Sequence, residues 1–321
     1  TADGGFSIQT INGRDRVPSD GQNLLPEGSR WHVTGFGNFD GDANPDVFLE
    51  HEDGRFRIVS LEGIGIVKRA DFTDIPAGTK VLAFADFDGD GIDDLLVKRL
   101  DGSLAIAPMK AGRVEGNIEV TVPGDGIEFA LVADFNGLGH ADLVLRTPTG
   151  LRLQRIENGA AADYADLPMP GDGYALTHTG DFDGDGRTDL VFEDFKGHVM
   201  TWRLDGIALA RQSVNPVPNG WKVTDVVDFD ASFIDDLILV SPEGKVSVAY
   251  FAPDLASLSL GTLAEASDWK LWQVGDYDGD GFPDLLFTSD KGEVVAALYQ
   301  QGLYKGEVVI HLPTLRWSVI P

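Results

Sequence analysis

One nine-residue pattern recurs six times in the 321 residues, and it constrains the fold more than any other feature. Its copies are Asn38–Asp46, Asp86–Asp94, Asp134–Asp142, Asp181–Asp189, Asp228–Asp236 and Asp276–Asp284. Successive copies start 48, 48, 47, 47 and 48 residues apart, which leaves no room for a second kind of domain between them. A turn glycine follows each copy (Gly54, Gly102, Gly150, Gly197, Gly244, Gly292), and Gly4 adds one more. A proline series precedes the copies (Pro26, Pro76, Pro123, Pro170, Pro218), breaks at Ala264 and resumes at Pro313. Glycine and proline therefore mark seven units, while the acidic pattern marks six.

Each unit reads as four strands. The first precedes the motif, as in Lys80–Ala85, and the second follows it at once, as in Leu95–Val97 or Leu190–Phe192. The third follows the turn glycine, as in Leu104–Ile106 or Val246–Val248, and the fourth is weaker, as in Ile118–Val122. Continuous apolar runs suit strands buried on both faces, and alternation suits half-buried ones. Helical periodicity is absent. Four strands every 47 or 48 residues predict an all-β chain, a seven-bladed β-propeller of four-stranded antiparallel blades forming one domain over residues 1–321. A β-sandwich would not need such equal spacing. The seventh blade is expected to be split between the termini, with Phe6–Thr10 and Leu24–Leu25 from one end and Arg316–Ile320 from the other. Its second strand is missing: a seventh motif would start near position 324, so a truncated chain or a thin seventh blade is expected. A six-bladed ring with extra terminal strands is the alternative.

Composition narrows the function classes. Asp and Glu number 52 against 25 Lys and Arg, a net charge of −27, which argues against nucleic acid and anionic membrane surfaces as partners. With 43% hydrophobic residues the chain can bury a sizeable core. No apolar run reaches the 18 residues of a membrane-spanning helix. No basic start followed by an apolar stretch appears, so any signal peptide is expected to have been removed. The absence of cysteine excludes a disulfide scaffold, a thiol nucleophile and a Cys-ligated zinc site.

In the full motifs, oxygen-bearing side chains stand at positions 1, 3, 5 and 9, and a backbone carbonyl at position 7 could complete the set. Such clustering costs energy by like-charge repulsion unless a cation fills the loop. Hard oxygen ligands without His or Cys select Ca²⁺ over zinc or copper, and Mg²⁺ fits less well because it keeps its waters. Glycine at positions 4 and 6 permits the sharp turns of a calcium loop. The start of the motif is like an EF-hand loop, but Asp at position 9 replaces a distant Glu and the flanks are strands.

These Phe-Asp-Gly-Asp-Gly segments followed by Asp-Leu resemble the FG-GAP/VCBS repeats of integrin α-subunit propellers, of fungal lectins of the Psathyrella velutina type and of many secreted bacterial proteins. The resemblance covers nearly the whole chain. It implies a calcium-stabilised propeller with each ion in the hairpin between strands one and two of a blade. Four loops carry over residue by residue: Asn38, Asp40, Asp42 and Asp46; Asp86, Asp88, Asp90 and Asp94; Asp181, Asp183, Asp185 and Asp189; Asp276, Asp278, Asp280 and Asp284. The first departs from the pattern at Asn38 and Ala43. The third motif has Leu138 at position 5, and the fifth has Ser232 there with Ala231 and Phe233 for the glycines. These two loops are expected to be empty or weakly occupied. About four structural Ca²⁺ sites follow, with affinities on the order of 10⁻⁴–10⁻³ M as in extracellular modules. That places the chain in a secreted, cell-surface or periplasmic setting.

A second series suggests where a ligand could bind. Seven residues before each motif stand Trp31, Thr79, Ile127, Tyr174, Trp221 and Trp269, and Trp317 continues the register. In a propeller this register lies near the central channel, on the face opposite the calcium loops. Trp31, Tyr174, Trp221, Trp269 and Trp317 are thus candidates to stack on a sugar or anchor a protein, although aromatics wedged between blades as packing are the more ordinary outcome. The phenylalanines at motif position 2 read as core. The six histidines show no metal-ligand spacing, and no nucleophile elbow or phosphate loop is present. The leading expectation is a non-catalytic, lectin-like or adhesion module for extracellular glycan or protein, alone or with other domains of a longer adhesin or toxin. A calcium-dependent polysaccharide lyase and a purely structural propeller are the alternatives.

Overall fold

The computed structural model describes residues 6–8, 11–12, 15–16, 22–25, 29–42, 44–62, 65–72, 75, 78–115, 119–122, 126–171, 173–251, 258–264 and 268–310. Among them there is no helix, and every regular element is a strand. Six four-stranded antiparallel sheets follow one another, each with its strands in chain order. In blade 1 the strands are Trp31–Gly37, Asp46–His51, Phe56–Glu62 and Gly65–Phe72. Blade 2 runs from Lys80–Ala85 to Glu119–Val122, blade 3 from Glu128–Ala133 to Ala160–Pro168, and blade 4 from Tyr174–Gly180 to Ala208–Asn215. Blade 5 runs from Lys222–Val227 to Leu258–Ala264, and blade 6 from Trp269–Gly275 to Leu303–Ile310. This is the all-β, four-stranded propeller architecture that the 48-residue period predicts, with six blades complete. Of the seventh, Phe6–Ile8 pairs antiparallel with Gln22–Leu25. The expected C-terminal contribution, Arg316–Ile320, lies outside the described residues. Blades 1–3 fall in one compact unit and blades 4–6 in another.

The sequence explains the layering within a blade. Second strands are continuous apolar runs (Val47–Leu49, Leu95–Val97, Leu143–Leu145, Leu190–Phe192, Leu237–Leu239, Leu285–Phe287), and all are buried. A strand with neighbours on both sides and sheets on both faces needs apolar side chains at every position. Fourth strands such as Ala208–Asn215 are mostly exposed, with Leu209 and Ser213 half-buried and Asn215 buried, as suits an outer strand. Adjacent blades share cores. Phe39, Phe48 and Phe56 of blade 1 pack with Leu95, Val97 and Ala105 of blade 2. Phe182 and Val191 of blade 4 pack with Leu237, Leu239 and Phe251 of blade 5. The position-2 phenylalanines Phe39, Phe87, Phe135, Phe182 and Phe229 are fully buried, as the sequence implies.

Two features were not visible in the sequence. Each first strand carries one extra residue against its second strand, at Thr34, Leu82, Ala130, Thr177, Thr224 and Trp272. A bulge bends the strand and adds twist, so this offset recurs in every blade. Successive loops are also tied together: the Asp93 amide donates to the Asn38 carbonyl (2.8 Å), Ala141 to Asp86 (2.7 Å) and Asp235 to Asp181 (2.8 Å). Motif position 8 of one blade thus closes on position 1 of the blade before.

Candidate metal centres

Each acidic motif forms the connection between strands one and two of its blade, and its carboxylates first serve the loop's own backbone. The position-1 aspartate accepts the amides of positions 4 and 6: Asp86 from Gly89 and Gly91 (2.6 and 2.8 Å), Asp181 from Gly184 and Gly186 (both 2.7 Å), Asp276 from Gly279 and Gly281 (2.7 and 2.9 Å). Positions 3 and 5 each accept the amide two residues on, as Asp88 does from Asp90 (3.1 Å) and Asp90 from Ile92 (2.9 Å). This winding requires positive φ at positions 4 and 6, which glycine adopts without a Cβ clash. Gly89 and Gly91 stand at φ 84° and 83°.

The position-9 aspartate has a different job. Asp46, Asp94, Asp142, Asp189, Asp236 and Asp284 have no exposed surface. Asp94 accepts the Phe87 amide (3.1 Å) on one oxygen and the Met109 amide (2.8 Å) on the other. Asp189 does the same with Phe182 and Leu204, Asp236 with Phe229 and Phe251, and Asp284 with Tyr277 and Tyr299. The side chain therefore staples the loop to the end of the third strand. Burial drives these carboxyls upward, and the neighbouring loop aspartates add to it: Asp46 to about 6, and Asp94, Asp189 and Asp236 to about 7. Hydrogen bonds from the backbone amides oppose the rise without cancelling it.

Four loops gather three carboxylates with ligand atoms within 4.8 Å of one another: Asp86, Asp88 and Asp90; Asp181, Asp183 and Asp189; Asp228, Asp230 and Asp236; Asp276, Asp278 and Asp284. Three anionic oxygen ligands at that spacing could hold a hard cation. Three of the four sets lie in loops the sequence singles out. The fifth loop joins them although Ala231 and Phe233 replace its glycines. Both residues take the glycine conformation, at φ 62° and 65°, and Phe233 donates to Asp228 as Gly91 does to Asp86. The template is set by the stapled aspartate and the blade, so the backbone keeps its path at the cost of two strained residues. Among the described residues, Asp40, Asp42 and Asp46 of the first loop form no such triad. Asn38 there turns its amide to the Gly91 carbonyl of blade 2 (3.1 Å).

The fourth loop carries internal cations. Arg203 on strand three sits 2.6 Å from Asp183, with both side chains mostly buried, and Arg187 binds Asp185 (2.6 Å) and Asp205 (2.7 Å). Asp93 and Asp235 at position 8 are further residues that sequence reasoning passed over. Their carboxylates accept the amides of Asn38 and Asp181 in the preceding blade (both 2.8 Å). The Asp-Asp doublets at 93–94 and 235–236 were the available signal.

The candidate aromatic register begins the first strands. Trp31 is half-buried against Val47, Leu49 and Val59, with the Arg57 guanidinium 4.2 Å from its ring centre. Trp221 packs on the core shared by blades 4 and 5, and Trp269 on that of blades 5 and 6. Tyr174 is half-buried as well. Trp317 lies outside the described residues.

Residues 134–192 match the family model of the FG-GAP-like repeat, from the third acidic loop through strand two of blade 4. With six blades of one plan, the described residues form a β-propeller, and residues 134–192 of it match the FG-GAP-like repeat. No curated protein matches it significantly. Among solved structures it is similar to a chain of the Photorhabdus luminescens Tc holotoxin pore, at 19% identity and a TM-score of 0.51. That alignment covers 89% of this chain but 14% of the toxin chain. It is also similar to a prolyl endopeptidase, at 15% identity and a TM-score of 0.54, covering 88% of this chain and 42% of the other. At these identities the likeness concerns the fold, and this chain spans less than half of either protein's length.

Proposed function

We propose that the chain is a calcium-stabilised, non-catalytic binding module that works outside the cytosol, for a glycan or protein ligand and within a larger adhesin or toxin. The observation that carries the calcium reading is the repeated triad of carboxylates with oxygen ligands alone, a donor set suited to Ca²⁺. Calcium would be held by Asp86, Asp88 and Asp90 in the second loop, by Asp181, Asp183 and Asp189 in the fourth, and by Asp276, Asp278 and Asp284 in the sixth. Bound there, it would offset carboxylate repulsion and hold each hairpin closed. A modest affinity suits millimolar extracellular calcium. No described helix is long and apolar enough to cross a membrane. The propeller in a toxin chain and in a peptidase, each a fraction of the whole protein, supports a modular role.

Thermal unfolding with 2 mM calcium and after chelation tests the metal assignment. Occupancy of several sites near 10 Kd each contributes about 1.4 kcal/mol per site, so the melting temperature should fall by several degrees on chelation. An unchanged melting curve would sink it. A glycan array read with and without calcium tests the binding role.

A further inference from the structure

We infer that blade 6 carries a binding site for an organic ammonium cation, separate from the acidic loops. A cavity of about 460 Å³ opens on the face of blade 6 toward the last strand of blade 5. That volume lies in the range of small-molecule sites. Cross-strand pairing places its walls on one face: Phe287 opposite Val295, Ala297 opposite Glu307, and Tyr299 opposite Tyr304. Trp269 completes the aromatic set, and the small side chains Ala264 and Ala297 leave the space open.

The chemistry of this lining is selective. Four aromatic rings surround an apolar space, and Tyr299 and Tyr304 meet edge to face with centroids 5.6 Å apart. The Tyr299 ring is fixed, because its hydroxyl donates to the Leu263 carbonyl (3.1 Å) and its amide to Asp284 (2.7 Å). The two charged residues among the described lining are Glu293 and Glu307, and neither Lys nor Arg is among them. Glu293 is oriented by the Ser289 hydroxyl (3.1 Å). Aromatic faces attract a cation through their quadrupoles, and flanking carboxylates add Coulomb attraction without desolvating a metal ion. The same lining repels anions and gains little from neutral polar sugars, whose hydroxyls would meet few partners there. A bare metal ion would find rings where it needs oxygen ligands. An alkylammonium group with an apolar surface satisfies both the rings and the carboxylates.

Titration calorimetry of the calcium-saturated full chain with choline and with its uncharged isostere 3,3-dimethylbutan-1-ol tests the site. Choline is expected to bind at least about tenfold more tightly than the alcohol, the factor that a cation–ring attraction supplies. Glu293→Gln combined with Glu307→Gln should weaken choline about tenfold, and Tyr304→Leu should do so without altering the two carboxylates. Both glutamates and Tyr304 are exposed enough that these variants should melt with the parent. Equal binding of the alcohol would overturn the proposal. So would no choline binding up to 50 mM, or undiminished binding in the variants.

Discussion

Asp94→Asn separates the two jobs of the position-9 carboxylate, backbone acceptor and buried charge. The side chain is fully buried and holds the Phe87 and Met109 amides. Burial raises its carboxyl from 3.8 to about 7. A rise of that size means that, above pH 7, the native state carries an ion disfavoured by ~4 kcal/mol relative to the neutral form. Asparagine is a neutral isostere that keeps one oxygen for the amides and leaves one amide badly met, a loss of about 1–3 kcal/mol. In calcium-free protein at pH 8 the relief exceeds the loss, and Asp94→Asn should be more stable than the parent by ~1–3 kcal/mol. A folded-state value above the unfolded one makes the parent's contribution complete below pH 3.8 and lost as pH rises through about 7. The variant lacks that loss, so its advantage should vanish at pH 4–5. Calcium should narrow that advantage, because the Asp88 and Asp86 charges add to the rise of Asp94 and a dication held between them offsets that repulsion. Urea unfolding at pH 5 and 8, with calcium and calcium-stripped, reads all four corners. If stripped Asp94→Asn is destabilised equally at both pH values, the carboxylate is only an amide acceptor and the reasoning fails.

Ala231→Gly and Phe233→Gly should each stabilise the chain by about 1 kcal/mol, since both residues hold a left-handed backbone, and chemical denaturation will show it. Arg203→Leu strands a mostly buried Asp183, so calcium-free stability should fall by about 3 kcal/mol. Terbium or calcium titration should show tighter metal binding in the same variant, because a competing cation has gone. Asp235→Ala should cost about 1–2 kcal/mol through the lost Asp181 amide bond, with the effect of hydrogen exchange concentrated in the fourth loop. Calcium binding at pH 6 should release protons from Asp189 and Asp236, which belong to their loops' triads, measurable as buffer-dependent heats.

The blade plan was legible because a strand buried on both faces leaves a continuous apolar run, and because the loop geometry forces Asp and Gly to fixed positions. Lys80–Ala85 matches strand one of blade 2 residue for residue. The loop carboxylates were legible by type, but their division of labour was not. A buried amide acceptor and a metal ligand are both written as aspartate: Asp94 holds two amides and stands outside its loop's triad, whereas Asp189, Asp236 and Asp284 hold amides and join theirs. The fifth loop was hidden because Ala231 and Phe233 break the glycine code while the rest of the blade imposes the path. Arg203 stands 14 residues beyond its loop, and its approach to Asp183 depends on sheet register. The bulges leave no common residue signature, since the extra residue is Thr in three blades and Leu, Ala and Trp in the other three. The cavity on blade 6 arises from Ala264 and Ala297, ordinary strand residues until their neighbours are placed.

The bonds from motif position 8 back to position 1 give the chain a direction. At Asn38–Asp93 and Asp181–Asp235 the position-8 amide and carboxylate of the later blade grip the position-1 carbonyl and amide of the earlier one, so a loop offers position 1 to the blade that follows it and position 8 to the blade before. Shortening the chain after blade 2 or blade 4 would therefore disturb an extra loop beyond the missing blades, the one left at the new end. Deleting blade 1 would instead leave the Asp93 amide and carboxylate of blade 2 without their Asn38 partners. A cut at either end therefore exposes one half of a paired contact, position 1 at the back and position 8 at the front, and a graft or fusion has to cap the half it leaves open.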